Sequence, residues 1–564
     1  MKKFAFPMLL LALIAAPVAM RAFAKDDPAK IDVAGGTKTV AVLAITSYDE
    51  LIKDIAVLGE LTGNAGAEQQ LEGLLGFFTQ GQGLKGLDKT RPCGATLQVV
   101  GNEDDLKPQP LIFLPVKSLN DLAGVLGEVE DKGDGVVSLQ VAGQEVFAKE
   151  KSGWAFIGQT AESLSSLPAD PVKLLAGLNP QYDIAIKLNL QNIPQMYRTM
   201  IVDQIKAGVE QNTAQQPGED DDAYASRKKA MDAQVEQTVT LINETKDVTV
   251  GWKIDREKKS TFLDFRLAAI SGSKTARQMS QMQEMPSDFS GFIDSAAAAC
   301  LSFVASVPTQ DVAQQLTQLQ SYRESVLAQV EKNNSDDPAV KKELKSAIGD
   351  LFDSMIATMK SGKMDGGVSV SLGAKEMSVV AGVLVANTAK LEESFKKLIS
   401  VTAEKDKKFP AVKFDAVKYK DVRFHTTSFP IEQGEDIQKV VGDKLDVAVG
   451  FGAKQVYFAV GTDSIAKVKA AIDKSASGAG KKYPPAQLTL AFAPIMKFVA
   501  TVTPNARVSA MAAQLAESAG KDHVVIAVRP VGMDGSVTYR VTAEEGILKL
   551  LGEVNKQVGP GAGG

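Results

Sequence analysis

The chain has 564 residues, 45% of them hydrophobic, 23% charged and 6% aromatic, with a formal net charge of −5. That length predicts about two to four domains, and the composition excludes a disordered chain. A mildly acidic chain without a basic stripe is a poor binder of nucleic acid or of an anionic membrane surface.

The N-terminus carries its own signal. Lys2 and Lys3 precede the apolar run FAFPMLLLALIAAPVAM, and Ala22-Phe23-Ala24 is a small-x-small site. This pattern predicts a secretory signal peptide over residues 1–24, cleaved between Ala24 and Lys25. A run interrupted by two prolines is short for a membrane span, and no later run is long enough. Position 25 is lysine, so the site offers no cysteine for a lipid anchor. The mature chain is expected in the periplasm or outside the cell. Cleavage also removes Lys2, Lys3 and Arg21, which lowers the net charge by three.

The first mature element changes character within a few residues. Val40–Ile45 has the β-branched content of a strand, and Ser47 with Glu50 forms the S-x-x-E capping box. Leu51, Ile55, Leu58 and Leu61 then repeat at helical spacing. AEQQLEGLLGFFTQ predicts a second helix. GATLQVVG (94–101) and PLIFLPV (110–116) predict strands, and Ser118 caps a helix bearing Leu119, Leu122 and Leu126. GVVSLQVAGQEVFAKEKSGWAFIG supplies three short strands joined by glycine-containing turns. After LPADPVKLLAGLNP come a strand, a long helical region over 193–241, two strands and a helix.

The second half tracks the first. GGVSVSLG (366–373) matches GATLQVVG, GVLVANTAKL (382–391) matches FLPVKSLNDL, and YFAVGT at 457–462 matches WAFIGQT at 154–160. KDHVVIAVRPVGMDGSVTYRVTA (521–543) matches KDVTVGWKIDREKKSTFLDFRLAA (246–269). The wording predicts a tandem duplication. Its expected parts are unit A over 39–170, unit B over 180–284, A′ over 296–475 and B′ over 485–557, followed by a Gly-rich tail over 558–564. The expected fold class is α+β, built from duplicated βαββα ferredoxin-like units with antiparallel-rich sheets covered by helices. Two long helical regions, 193–241 and 309–360, cover the sheets or project as arms.

No residue pattern carries catalysis. His425 and His523 are the only histidines, and neither lies in a metal-ligand spacing. SGAGKK (477–482) lacks the spacing of a phosphate loop. Ser271–Lys274 and Ser394–Lys397 match S-x-x-K without the companion motifs of a penicilloyl-serine enzyme. EDDD (219–222) lacks the calcium-loop pattern. Met279, Met282 and Met285 form M-x-x-M-x-x-M, whose thioethers suit Cu(I); an apolar helix stripe is the competing explanation. Cys93 and Cys300 are the only cysteines, and export would permit their pairing. No catalytic residue and no cofactor is assigned.

The signal peptide, the repeated strand–helix units and the WAFIG and YFAVG strand endings resemble large exported bacterial proteins of unknown function. The resemblance implies localisation and architecture, with no catalytic residues to carry over. The expected function is a non-enzymatic binding or envelope-associated scaffold, with an unknown protein or small molecule as partner. The alternatives are a carrier of an apolar small molecule or lipid between sheet and long helices, and a hydrolase using two carboxylates.

Overall fold

The computed structural model describes residues 38–79, 81–100, 107–141, 143–215, 219, 221–307, 312–332, 337–431, 438–503, 505–531 and 535–558. The expected signal segment, the Ala24–Lys25 site and the Gly-rich end lie outside these residues. The chain divides into two compact units. One comprises Met1–Val209, Thr238–Ile270 and Leu551–Gly564, and the other comprises Glu210–Gln237 and Ser271–Leu550. Helices and strands are mixed, and the strands pair antiparallel.

The first unit holds ten strands: β1 Lys38–Ile45, β2 Cys93–Val100, β3 Lys107–Pro115, β4 Val129–Gly133, β5 Val136–Val141, β6 Gln144–Lys151, β7 Trp154–Gly158, β8 Ile184–Asn189, β9 Thr245–Asp255 and β10 Ser260–Ala269. Their pairing gives the order β10-β9-β8-β1-β2-β3-β7-β6-β5-β4. Helices α1 Tyr48–Leu61 and α2 Ala67–Phe78 follow β1, α3 Leu119–Leu126 follows β3, and α4 Gln195–Asn212 with α5 Asp221–Glu244 follow β8, the stretch Glu210–Gln237 of this pair belonging to the other unit. The caps form where the sequence places them. Ser47 Oγ accepts the Glu50 N–H at 3.3 Å, and Ser118 Oγ accepts that of Asp121 at 3.2 Å. The Ser47 box is only half made, because the Glu50 carboxylate pairs with Lys53 and Arg256 instead of returning to the cap.

The second unit holds β11 Ala299–Ser306, β12 Lys363–Gly373, β13 Glu376–Leu384, β14 Lys413–Tyr419, β15 Val422–Pro430, β16 Lys444–Phe451, β17 Gln455–Gly461, β18 Ala486–Ala491, β19 His523–Val531 and β20 Ser536–Ala543. A two-residue pair, Met285–Pro286 with Lys482–Tyr483, stands apart. The order is β20-β19-β18-β11-β12-β13-β17-β16-β15-β14. Each strand has the neighbours of the strand ten places earlier. Its helices are α6 Lys274–Ser280, α7 Val312–Lys332, α8 Pro338–Lys360, α9 Thr388–Lys405, α10 Gln438–Val441, α11 Ser464–Ser477, α12 Phe492–Val502, α13 Ala506–Ala516 and the start of α14 Glu545–Val558.

These neighbours differ from a ferredoxin-like unit. The first strand, helix and second strand make no crossover, because α1 and α2 turn the chain back and β2 descends beside β1. Strands expected in separate units also share one sheet, since β8 pairs with β1.

Each unit has its own core. In the first, Ile112, Leu114, Leu119, Leu122 and Leu139 pack on one sheet face, and Phe113, Trp154, Phe156 and Leu175 pack on the other. In the second unit Phe289, Phe292, Phe424 and Tyr457 dominate instead, with the Phe292 and Tyr457 rings stacked at 6.1 Å.

Candidate functional site

The strands at one end of each sheet are amphipathic in an inverted sense. Along β9, Thr245, Asp247 and Thr249 are buried, while Val250, which follows Thr249, is 38% exposed. On β10, Asp264 is buried and its neighbours Leu263 and Phe265 are 46% and 44% exposed. Period-two alternation puts all these apolar side chains on one face. The register aligns them, because Leu43 faces Ile186, Ile186 faces Val250, and Val250 faces Phe265. A flanking row runs Ala41, Leu188, Val248 and Leu267.

The second unit repeats the arrangement. Leu301 faces Leu488, Leu488 faces Ile526, and Ile526 faces Val541. Leu301, Ile526 and Val541 are each at least 40% exposed, whereas Ser302 and Thr538 beside them are buried. Isolated exposed apolar residues are ordinary, but contiguous rows of them mark a binding surface. The buried polar faces are satisfied internally; for example, Tyr182 Oη donates to Asp264 Oδ2 at 3.0 Å.

Glu392 on α9, Asp415 on β14 and His425 on β15 form the one group with metal-ligand spacing among the described residues, their donor atoms within 4.8 Å of one another. Its hydrogen bonds leave no vacant lone pair on the imidazole. The Asp415 N–H donates to His425 Nδ1 at 2.9 Å, so the ring proton sits on Nε2 and faces Glu392 Oε1 at 3.1 Å. Lys396 lies 2.9 Å from the same Oε1, and Arg423 also pairs with Glu392. Burial alone would raise the Glu392 pKa, but hydrogen bonds from Arg423 and Lys396 outweigh it and bring it down to about 2. Burial and the nearby Lys396 charge lower the pKa of His425, which is stacked against Phe395. A metal ion would have to displace two cations and a backbone donor. The cluster is an ion-pair core.

His523 has the opposite surroundings. Nδ1 lies 2.7 Å from Glu544 Oε2 and Nε2 lies 3.1 Å from the Ser295 carbonyl, so the imidazolium satisfies both acceptors. Burial opposes the charge, yet the Glu544 and Ser295 hydrogen bonds raise its pKa.

The other sequence candidates separate. Helix α6 ends at Ser280, so Met279, Met282 and Met285 share no helix stripe: Met279 is buried and Met285 lies opposite Tyr483. Cys93 and Cys300, whose pairing export would permit, are free thiols. Cys300 Sγ is held instead by the Asp294 carbonyl at 3.1 Å. Of the EDDD segment, Glu219 is a two-pronged partner of Arg227 and Asp221 begins α5, while Asp220 lies outside the described residues. Ser394 donates to Asp350, and Lys397 pairs with Glu393 at 2.8 Å. Ser273 Oγ caps α6 within the other S-x-x-K segment.

Two arrangements escaped the sequence because their members are far apart. Lys467 Nζ donates to Ser378 Oγ at 2.6 Å, but Ser378 is 1% exposed and Lys467 also pairs with Glu376, so the hydroxyl is closed to a substrate. Asp54 and Asp183 are hydrogen-bonded carboxyls, 3% and 4% exposed for residue and side chain respectively, beside Arg256 and Lys253. Their enclosure denies them a substrate. Comparison with protein families, with curated proteins and with solved structures returned no match. No helix among the described residues is long and apolar enough to cross a membrane.

Proposed function

We propose that the protein is an exported, non-enzymatic binding protein, built by tandem duplication, which holds an apolar ligand against its two inverted sheet faces. The observation that carries this reading is the pair of rows whose exposed members are Ile186, Val250 and Phe265 in one, beside the partly buried Leu43, and Leu301, Ile526 and Val541 in the other, beside the partly buried Leu488. Placing Thr249 and Asp264 inside while Val250 and Phe265 face outward costs folding free energy, and an apolar ligand would offset it by removing these side chains from water. The shared strand order supports the duplication, and the Lys2–Ala24 pattern supports export.

The test is a fluorescence titration of the mature protein with N-phenyl-1-naphthylamine, an uncharged dye that brightens on leaving water. Saturable brightening, reduced by Val250→Asp and by Ile526→Asp, is expected. Absence of brightening, or brightening untouched by both substitutions, would remove the apolar-ligand reading and leave the envelope-scaffold one.

A further inference from the structure

A cavity of about 370 Å³ lies between α4 and α5, lined on α4 by one helical face that includes Arg198, Thr199, Val202 and Lys206. Val239 and Asn243 of α5 close the other side. Their spacing explains the shared wall, because residues three and four apart stand above one another on a helix. The size suits a small organic molecule.

Arg198 is unusually under-used. A guanidinium carries five N–H donors in a fixed fork, yet among the described residues its one hydrogen bond runs from Nη1 to Gln191 Oε1 at 2.9 Å. Its Nε is shut off from water without any partner. Gln191 is itself anchored, donating to the carbonyls of Thr245 at 2.6 Å and Asn243 at 3.2 Å. One nitrogen of the fork is thereby fixed, and Nη2 has no bond among the described residues. A charge-assisted N–H bond from Nη2 suits a carboxylate oxygen. Lys206 adds a second positive charge and Asp203 a negative one, so the lining carries a single net positive charge. The N-terminal end of α4 adds the positive pole of a helix. Val202 and Val239 provide an apolar wall.

We propose that this cavity binds a small monocarboxylate, its carboxylate held by Arg198 and its hydrocarbon part against Val202 and Val239, with Lys206 contributing to the positive charge of the lining. The site is independent of the apolar sheet rows and stands whether or not they bind a ligand.

Isothermal titration of the full mature chain with sodium hexanoate at low ionic strength tests it, with hexanamide as the uncharged control. The expected result is saturable hexanoate binding, at least tenfold weaker hexanamide binding, and at least tenfold loss in Arg198→Gln. Asp203→Asn, at an exposed position, should tighten hexanoate binding several-fold by removing the opposing charge, which keeps the test valid if Arg198→Gln misfolds. No saturable hexanoate heat, equal binding of hexanamide, or an Asp203→Asn variant that binds no more tightly would overturn the proposal.

Discussion

Asp54 is 3% exposed, and Arg256 Nε lies 3.0 Å from its Oδ1 without the alignment of a hydrogen bond. Burial first, and the neighbouring Asp183 second, push its pKa up to about 7. The folded state therefore holds a proton that the unfolded state releases. The associated stability is complete below about pH 4 and is lost as the pH climbs through about 7. Asp54→Asn, which keeps the shape and removes the titration, should gain about 1–3 kcal/mol on the parent protein between pH 5 and pH 9. Urea unfolding at the two pH values checks this. The two histidines give a second test, since no other imidazole overlaps them. His523, raised above its ordinary value, stabilises the fold below about pH 6.5, and that contribution is lost as the pH rises through its folded pKa. His425, lowered, contributes above about pH 6.5, and its contribution is lost as the pH falls through its folded pKa. The two Cε1–H resonances should therefore titrate on opposite sides of pH 6.5. Coincident titration would contradict the assigned hydrogen bonds.

Among the elements, the endings of β7 and β17 show what similar wording does and does not specify. Both strands end on glycine, and Trp154 and Tyr457 before them are buried. Gly461 has φ +93°, and a Cβ there would meet the Met377 carbonyl oxygen at 2.1 Å. At Gly158 the nearest atom is the Ser163 hydroxyl, the end of an exposed side chain that can rotate away. Gly461→Ala should thus cost about 2 kcal/mol or more and Gly158→Ala less than about 1 kcal/mol, measured by thermal unfolding. The strand-to-helix change at Ser47 was legible in sequence because a cap is a local hydrogen bond. The pairing of β8 with β1 was not, because it joins residues such as Ala41 and Leu188, far apart in the chain, through backbone groups common to every residue. The rows were half legible. The alternation in TKDVTVGWKID is plain, but the assumption that apolar side chains turn inward selects the wrong face. Arg198 gave no sequence signal at all, since its vacancy depends on Gln191 and a facing helix.

For the molecule as a whole, the two thiols report its closure. Burial pushes the Cys93 thiol up to about 12 and raises that of Cys300, so neither is a ready thiolate at neutral pH. Native protein should react with a disulfide reagent far more slowly than unfolded protein, which should release two equivalents, and reductant should leave the melting temperature unchanged. Immediate reaction of one thiol would show an open edge at its strand.

The common strand order has a consequence for how the chain reaches its native state. Two sheets with the same neighbour relations on one polypeptide give β8 a legitimate partner in β1 and a structural mimic of that partner in β11. Such exchange between homologous stretches is a characteristic misfolding route of repeated sequences. The halves differ where exchange would matter: β1 is KTVAVLAI and β11 is ACLSFVAS, and β8 is followed by a long polar helical pair whereas β18 is followed by a short apolar one. These differences in strand sequence and in the helices that follow give each nascent strand a basis for choosing its own neighbours during synthesis.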